Sequence, residues 1–551
     1  MKRIAGHVIA ASSLLAIFAV GAAGSSLGSA FTPAGDPVYE FLDHCAARGI
    51  VPVTVEARKP LTRLRIARHL MEAVAGYTAL DRVLVDDLEY YLREYAADII
   101  LLDASDSTRA RRVRPTGLDV GAALSRPHRH LSSRRTDRFS FAFDPVIWAR
   151  IDADERKTIF RRATGIRFYG RAWEWLGYYF RFVDHVERGN RPYVARADLL
   201  EDRWGYVGPL DGGEETYYDL TEAYLVGIWK AVSITFGRDR VVWGPGWSDN
   251  LMLSGRHPPF DHLRVSFELG ERVGFTHLIG SLHPWSTPGD TLYRTGGGWT
   301  RILPARKWIA AHRLTYSPGE QLLLGVGETV IWGERGLDPA YLNPLNFLFS
   351  AEHDRGDLDN VLLSGDFTLR VMKRGFVYGS LLIDDLKTST LGSGDPSNKW
   401  GVLGGAWIAD PGVVGLSGGI EYTRLRPYVY THFFPVNRFT TWTSSLGAEL
   451  PPNSDRLTLS ARYHPCRPLS LTCRVDVCRH GSTGGDLDRA VPHGSAEKVH
   501  FLDGERTDWT SSQLSLRWEP RTGLVIQVGG VSGDEMKLLP DRFYVAMGYR
   551  Y

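Results

Sequence analysis

The sequence predicts a mainly β protein, a large antiparallel transmembrane β-barrel of about 18 strands preceded by a small N-terminal helical bundle. Three observations predict it. An export signal opens the chain, strands with one apolar and one polar face fill most of its length, and the last residues alternate up to a final aromatic. Composition agrees without deciding. With 16 Trp, 24 Tyr and 58 Gly in 551 residues, the chain suits a β-architecture with aromatic girdles and tight bends, but also a soluble carbohydrate-active sandwich. At 43% hydrophobic it is too apolar for disorder, and 65 basic against 63 acidic residues leave +2, no field for nucleic acid.

Lys2 and Arg3 form a basic start, and residues 4–23 are apolar and small with His7 as the one interruption. Gly28-Ser29-Ala30 then supply the small-x-small exit that signal peptidase needs. The apolar run is short for a membrane span, so residues 1–30 read as a cleaved signal peptide, with the mature chain starting near Phe31. No cysteine follows closely enough for a lipoprotein anchor.

Residues 31–110 carry a helical period and are expected to form a periplasmic bundle. Val38, Phe41, Leu42 and Cys45 fall at i, i+3, i+4 and i+7. Pro60 and Thr62 open a second segment with the face Ile66, Leu70, Ala73 and Val74, stopped by Gly76. Thr78 is placed to cap a third, which carries Leu80, Val83, Leu84, Leu88, Tyr91, Leu92 and Tyr95. None of the 16 Trp falls in this region.

From residue 111 to 551 the period becomes two, the outer-membrane barrel. Leu457, Leu459, Ala461 and Tyr463 alternate with Arg456, Thr458, Ser460 and Arg462; Leu469, Leu471, Cys473, Val475 and Val477 do the same, as do Leu514, Leu516 and Trp518. Such strands run about ten residues, where a soluble sandwich strand runs about five or six. Phe543, Val545, Met547, Tyr549 and Tyr551 make the last strand apolar at every odd position, the form that barrel-assembly machinery recognises. The weakly charged stretch 401–420 holds seven glycines and the turn Asp410-Pro411-Gly412, so it reads as a hairpin and not a spanning helix. Counting back from a periplasmic C-terminus puts 479–510 outside, but also puts the tight Asp410 turn outside and 424–439 in the periplasm. That conflicts with the rule that short turns are periplasmic, and points to one strand too many or too few nearby.

Several stretches resemble, in order, the capsule assembly proteins of the Wzi family. They are Pro37-Val38-Tyr39-Glu40-Phe41-Leu42, Arg58-Lys59-Pro60-Leu61-Thr62, Trp243-Gly244-Pro245-Gly246, Asp249-Asn250-Leu251-Met252-Leu253-Ser254 and Ala311-His312-Arg313-Leu314. Tyr341-Leu342-Asn343-Pro344, Asp359-Asn360, Asp384-Asp385-Leu386, Glu421-Tyr422-Thr423-Arg424 and Pro427-Tyr428-Val429-Tyr430-Thr431-His432 continue the series. The resemblance implies an 18-stranded outer-membrane barrel with a periplasmic helical bundle against its base. It also implies a lectin-like role, holding capsular or other surface polysaccharide and assisting its assembly. The arginine-rich stretch 109–138, the trio Cys466, Cys473 and Cys478, and the long segment after Arg479 depart from the pattern.

No catalytic residue, metal site or cofactor is expected. Asp384 and Asp385 are adjacent on a strand and point to opposite faces, so they cannot share a substrate. Gly296-Gly297-Gly298 lacks the Lys-Ser/Thr and the βα setting of a phosphate loop, and the cysteine spacings match no zinc pattern. Ligand-binding candidates are Trp243, Trp247, Asp249 and Asn250, where glycine and proline are able to expose indole rings beside hydrogen-bonding groups, and Trp509 in a polar stretch. The other reading of those tryptophans is packing in the barrel mouth or girdle. Arg109, Arg111, Arg112, Arg114, Arg126, Arg129, Arg134, Arg135 and Arg138 form a cationic stretch, either a contact for lipopolysaccharide or anionic polymer or a solvated linker. The expected partners are surface polysaccharide, outer-membrane lipid and lipopolysaccharide, and the assembly machinery. The alternative function is a porin-like transport channel, which gains nothing from a helical domain at its periplasmic mouth.

Overall fold

The computed structural model describes residues 27–53, 58–105, 119–128, 130–136, 138–155, 157–190, 208–210, 215–270, 272–284, 291–492, 497–533 and 541–550. The segment before residue 27, together with Arg109, Arg111, Arg112, Arg114, Arg129 and Tyr551, lies outside the described residues.

Eighteen strands close an antiparallel barrel. In chain order they are β1 Phe139–Ala153, β2 Thr158–Ala172, β3 Leu176–Gly189, β4 Glu215–Trp229, β5 Val232–Asp239 and β6 Phe260–Leu269. Next come β7 Val273–Leu282, β8 Lys307–Gly319, β9 Leu322–Gly333, β10 Asn360–Met372, β11 Gly375–Asp385 and β12 Lys399–Ala409. The last are β13 Leu416–Leu425, β14 Ser454–Cys466, β15 Leu469–Gly481, β16 Arg506–Arg521, β17 Leu524–Ser532 and β18 Arg542–Arg550. Two short segments, Ser132–Arg135 beside β1 and Gly208–Leu210 beside β4, extend the sheet. β18 pairs with β1 from Phe543 opposite Ala153 to Arg550 opposite Val146, and so seals the wall. The predicted alternation is present: Ile147, Ile151, Leu225, Leu459, Leu471, Leu514 and Val545 are exposed on the outside, the face an outer-membrane barrel gives to lipid. Trp173, Trp175 and Trp229 stack at the base, with ring centroids 6.1 and 4.9 Å apart.

Antiparallel alternation puts the tight turns from β2–β3 to β16–β17 at one end and the remaining connections at the other. The Asp410 turn, between β12 and β13, is at the tight-turn end, and 426–453 is a single connection at the loop end. This corrects the expected sidedness. Inside 426–453 the strand-like pieces Thr440–Thr441 and Ser444–Ser445 pair with each other and not with the wall. Reading a wall strand there inverts the side of everything before it.

Among the described residues the helical region has five helices, α1 Val38–Ala47, α2 Arg63–Ala75, α3 Arg82–Glu94, α4 Ala96–Ser105 and α5 Val120–Ser125, around one buried cluster that reaches Ala123. It thus continues past residue 110. Thr62 caps α2 by accepting the Arg65 N–H at 3.2 Å, as predicted. α3 is capped by Asp81, which accepts from Val83 and Leu84 at 3.1 Å each, while Thr78 falls in a short 3-10 turn before it. The break between α3 and α4 has no glycine or proline to announce it. There the Arg63 side chain takes the Glu94 carbonyl at 2.9 Å.

The bundle is bolted to the tight turns. Asp410 receives His44 at 3.0 Å and Arg48 at 3.2 Å. Arg65 binds Glu268 at 2.9 Å, Asp87 meets His464 at 2.9 Å and Arg467 at 3.3 Å, and Tyr90 donates to Glu519 at 3.1 Å. Glu40 pairs with Arg462. These contacts come from several turns around the rim, so the bundle spans the base.

The four cysteines are free, with Cys466, Cys473 and Cys478 as isolated thiols on strands and Cys45 in a helix. Cys473 faces outward and Cys478 inward on β15, so those two cannot meet. Cys45 is buried in α1, and burial pushes its thiol well up from the ordinary value.

Candidate binding surface

β5 is only eight residues long beside the 15 of β4, so the chain leaves the wall at mid-height and residues 240–259 fold into the lumen. There Val242–Trp243 pairs on one side with Leu253–Ser254 and on the other with Arg58–Lys59 of the helical region. This small sheet joins the loop to the bundle inside the barrel. Around it lies the main apolar core: Trp243, Leu251, Met252 and Leu253 pack with inward wall residues such as Leu278, Ile309, Ile331, Phe376 and Leu403, and with Tyr430 and Phe439 of the 426–453 connection. The strands on the other side of the barrel are lined instead by ion pairs. Arg167 meets Asp144 at 2.9 Å, Arg150 meets Asp152 at 2.6 Å, and Arg161 meets Glu187 at 2.6 Å.

Most polar groups of the lumen loop are satisfied by the loop itself or by the barrel, while the indole N–H groups of Trp243 and Trp247 are buried without a partner among the described residues. Asn250 accepts the Gly246 N–H at 2.9 Å and donates to the Gly246 carbonyl at 3.1 Å, which closes the turn. Gly244 has φ +132°, and a Cβ there would lie 2.3 Å from Asn250 Oδ1, so glycine is required. Glu421 accepts the Trp247 N–H at 3.0 Å and the Tyr378 hydroxyl at 2.9 Å, and the Ser248 hydroxyl as well. Asp249 pairs with Arg456 at 2.8 Å and accepts the Glu449 N–H at 3.0 Å. Tyr430 donates its hydroxyl to the Leu251 carbonyl at 2.6 Å.

The predicted ligand-binding residues therefore separate. Trp243 is fully buried and offers no stacking face, Asn250 is buried and spent on the loop's own turn, and Asp249 is buried and paired with Arg456 of β14. Trp247 is half-buried in the lumen, its ring 5.5 Å from Trp407 and 6.0 Å from the Arg474 guanidinium. Trp509 is half-buried on β16 opposite Cys478. Arg134 and Arg135 are exposed on the short strand beside β1, and Arg126 and Arg138 are exposed near it. Asp384 faces inward against Lys399 at 2.9 Å while Asp385 is exposed, the opposite facing expected of the pair. Among the described residues one group, Glu352, His353 and Asp357, holds three possible metal-ligand atoms close together, but His353 is bonded directly to Asp357.

The aromatic groups open to solvent at the loop end are different ones. A hairpin of Thr291–Arg294 with Thr300–Leu303 rises between β7 and β8. It carries Tyr293, and at its tip Trp299, 71% exposed. Arg294 and Arg301 flank them, and neither meets a carboxylate among the described residues. Phe433 and Phe434 are exposed on the 426–453 connection. The signal for the hairpin was present as Tyr-Arg-Thr-Gly-Gly-Gly-Trp-Thr-Arg at 293–301: a glycine tip between aromatic and basic flanks. Weighing the glycines for phosphate binding alone misses it.

Residues 130–408 match the family model described as capsule assembly protein Wzi. No curated protein sequence matches the chain. Among solved structures, the chain is similar to Wzi of Escherichia coli, described as an outer-membrane, carbohydrate-binding β-barrel involved in group 1 capsule assembly, at 13% identity and TM-score 0.56. That likeness covers 95% of this chain and 100% of that one. Two Pseudomonas aeruginosa proteins, OccK5 (OpdH) and OprD, give TM-scores of 0.41 and 0.39 at 10% and 9% identity, each over 75% of this chain and over 98% and 95% of theirs. With the family match spanning half of its length and the whole barrel sharing the fold, this chain belongs to the capsule assembly protein Wzi family.

Proposed function

We propose that the protein holds a capsular or related surface polysaccharide at the cell exterior and assists its assembly there without catalysing a reaction on it. In this reading the tight turns and the bundle face the periplasm, the loops face outward, and an N-terminal signal directs export. Lipopolysaccharide surrounds the barrel, and the assembly machinery inserts it. The observation that carries the proposal is the occupied lumen: a loop seated inside the wall is hydrogen-bonded to a bundle that spans the base. A diffusion pore has no use for that arrangement, whereas a polymer holder needs only its outer face. On that face Trp299 and Tyr293 offer flat rings to the C–H faces of sugars, each worth on the order of 1 kcal/mol, so retention comes from many contacts along a polymer.

The test pairs two measurements on the purified protein in lipid. Planar-bilayer recordings should be silent, and purified capsular polysaccharide should bind, with Trp299→Ala weakening binding several-fold at unchanged heat-modifiability. Steady porin-sized conductance without polymer binding would establish the transport reading instead.

A further inference from the structure

The connection between β9 and β10 does not stay at the loop end. Its two short helices, α6 Pro339–Leu342 and α7 Leu348–His353, pack on the outside of the wall. The register shows this directly. On β9, Leu324 and Val326 are exposed to the exterior at 40% and 54%, yet Val330 and Trp332, on the same face further along, are fully buried. On β8, Leu314 and Tyr316 are exposed and Ala310 on the same face is not. Tyr341, Leu348 and Ala351 lie over the buried ones.

Beneath this cover sits a carboxylate that an outward wall position should not hold. Glu328 points to the outside, opposite His312, and both are buried. It is satisfied from above and beside: His312 Nδ1 at 2.9 Å, and the N–H groups of Leu348 at 3.0 Å and Phe349 at 3.3 Å. Trp308 and Trp332 donate their indole N–H groups to the carbonyls of Arg335 and Gly336, both at 3.1 Å. The excursion is thus fastened at several points, and over residues 342–349 its free side is mainly apolar: Leu342, Leu345, Phe347 and Phe349 are exposed. Four large apolar groups on one fixed outer surface, continuous with the exposed wall residues below, have the chemistry of an interfacial membrane element and not of a hydrated loop.

We infer that, with the loop end outward as in the proposed function on which this rests, residues 342–349 are seated in the outer-leaflet side of the membrane, with lipid acyl chains against Leu342, Leu345, Phe347 and Phe349 and Glu328 as the polar anchor that fixes the segment to the wall. The continuity with the lipid-facing band selects acyl chains as the occupant. Arg355 pairs with Asp338 and His353 with Asp357, Arg335 with Asp359 flanks the connection, and the exposed charged residues His353, Asp354, Arg355 and Asp357 follow the apolar stretch.

The protein is reconstituted in vesicles containing phospholipid brominated on the acyl chains of both leaflets, so that the result does not depend on orientation. Phe347→Trp is compared with the wild type, and Leu345→Trp stands in if the first variant does not fold. The added emission should be blue-shifted, lost largely to acyl bromine and unaffected by aqueous iodide. Quenching by iodide and not by bromine overturns the inference. So does protection from both quenchers together with a concentration-dependent dimer, which would mean that a second copy covers the patch. Glu328→Ala should move the added residue from bromine toward iodide quenching, and an unchanged pattern removes Glu328 from its anchoring role.

Discussion

Replacing Arg456 by Met tests whether the lumen loop is held by the buried ion pair. Arg456 Nη2 lies 2.8 Å from Asp249 Oδ2, with the two side chains 7% and 0% exposed. Removing one member of a buried pair costs about 3–5 kcal/mol, because the other charge stays buried without its partner. Asp249 keeps two backbone donors, Glu449 N–H and Asn250 N–H, each at 3.0 Å, which places the cost near the lower end, about 3 kcal/mol. The wall itself is untouched, since β14 is held by its backbone ladder. The loss therefore falls on the seated loop, and at about 1.4 kcal/mol per tenfold, the unseated state should rise roughly a hundredfold. Single-channel recording reads that rise as openings that the wild type almost never shows. Asp249→Asn combined with Arg456→Met removes both charges and should return the openings toward the wild-type frequency. A folded, heat-modifiable Arg456→Met protein as closed as the wild type would refute the reasoning, as would a double variant that opens like the single one.

Three further outcomes follow from other contacts. Burial raises the Asp410 carboxyl, but His44, the Gly415 N–H and Arg48 outweigh it and hold the group below its usual range. A depressed carboxyl stabilises fully above the ordinary value and loses that contribution as pH falls through the lowered one. Bundle docking should hold from neutrality to about pH 4 and loosen below it, read as protease access to the bundle; access that first appears near pH 6 argues against the clamp. Trp243→Ala should lower stability by about 3–5 kcal/mol, as for a fully buried indole, while Trp509→Ala should have a much smaller effect; equal losses would contradict the burial assigned to them. The mature N-terminus should lie before Gly28 and not at Phe31. The Gly28 N–H donates to the Glu174 carbonyl at 2.6 Å, Ser29 Oγ accepts the Leu64 N–H at 3.2 Å, and the Ala30 carbonyl accepts the Arg63 N–H at 2.8 Å, all of which cleavage after Ala30 would sever. Intact-mass analysis decides it.

The wall was legible because its signal is repetitive. Alternation such as Leu457 to Tyr463 depends only on which face meets lipid, and each strand states it again. The loops were not, because their partners are remote in sequence. Trp243 looks like an exposed ring ahead of Gly244-Pro245-Gly246 until Arg58, some hundred and eighty residues away, pairs with it. Asp249 looks like a hydrogen-bonding neighbour for a ligand until Arg456 takes it. Glu328 was hidden for a related reason: an acidic residue on a strand suggests the lumen, and only the connection returning over the outside allows it to face the other way. The helical caps fell between these cases. Thr62 and Gly76 were readable from local preference, but Asp81 displaced Thr78 because its carboxylate reaches two backbone donors at once.

The seam between β1 and β18 joins the first and last wall strands, and that ordering carries a consequence for how the interior is filled. What occupies the barrel lies in the chain ahead of the strand that shuts it: the Phe31 ring beside Tyr224, the Arg58–Lys59 strand, and the 240–259 loop. With the seam as the last joint to form, nothing has to enter through a finished opening. A growing wall is a curved, unsealed sheet, and Trp243, Leu253 and their neighbours give its concave surface something to curl around. The cargo becomes a former. Premature pairing of β18 with β1 would trap an empty ring around an unburied core, so the seam has to close after the interior is seated.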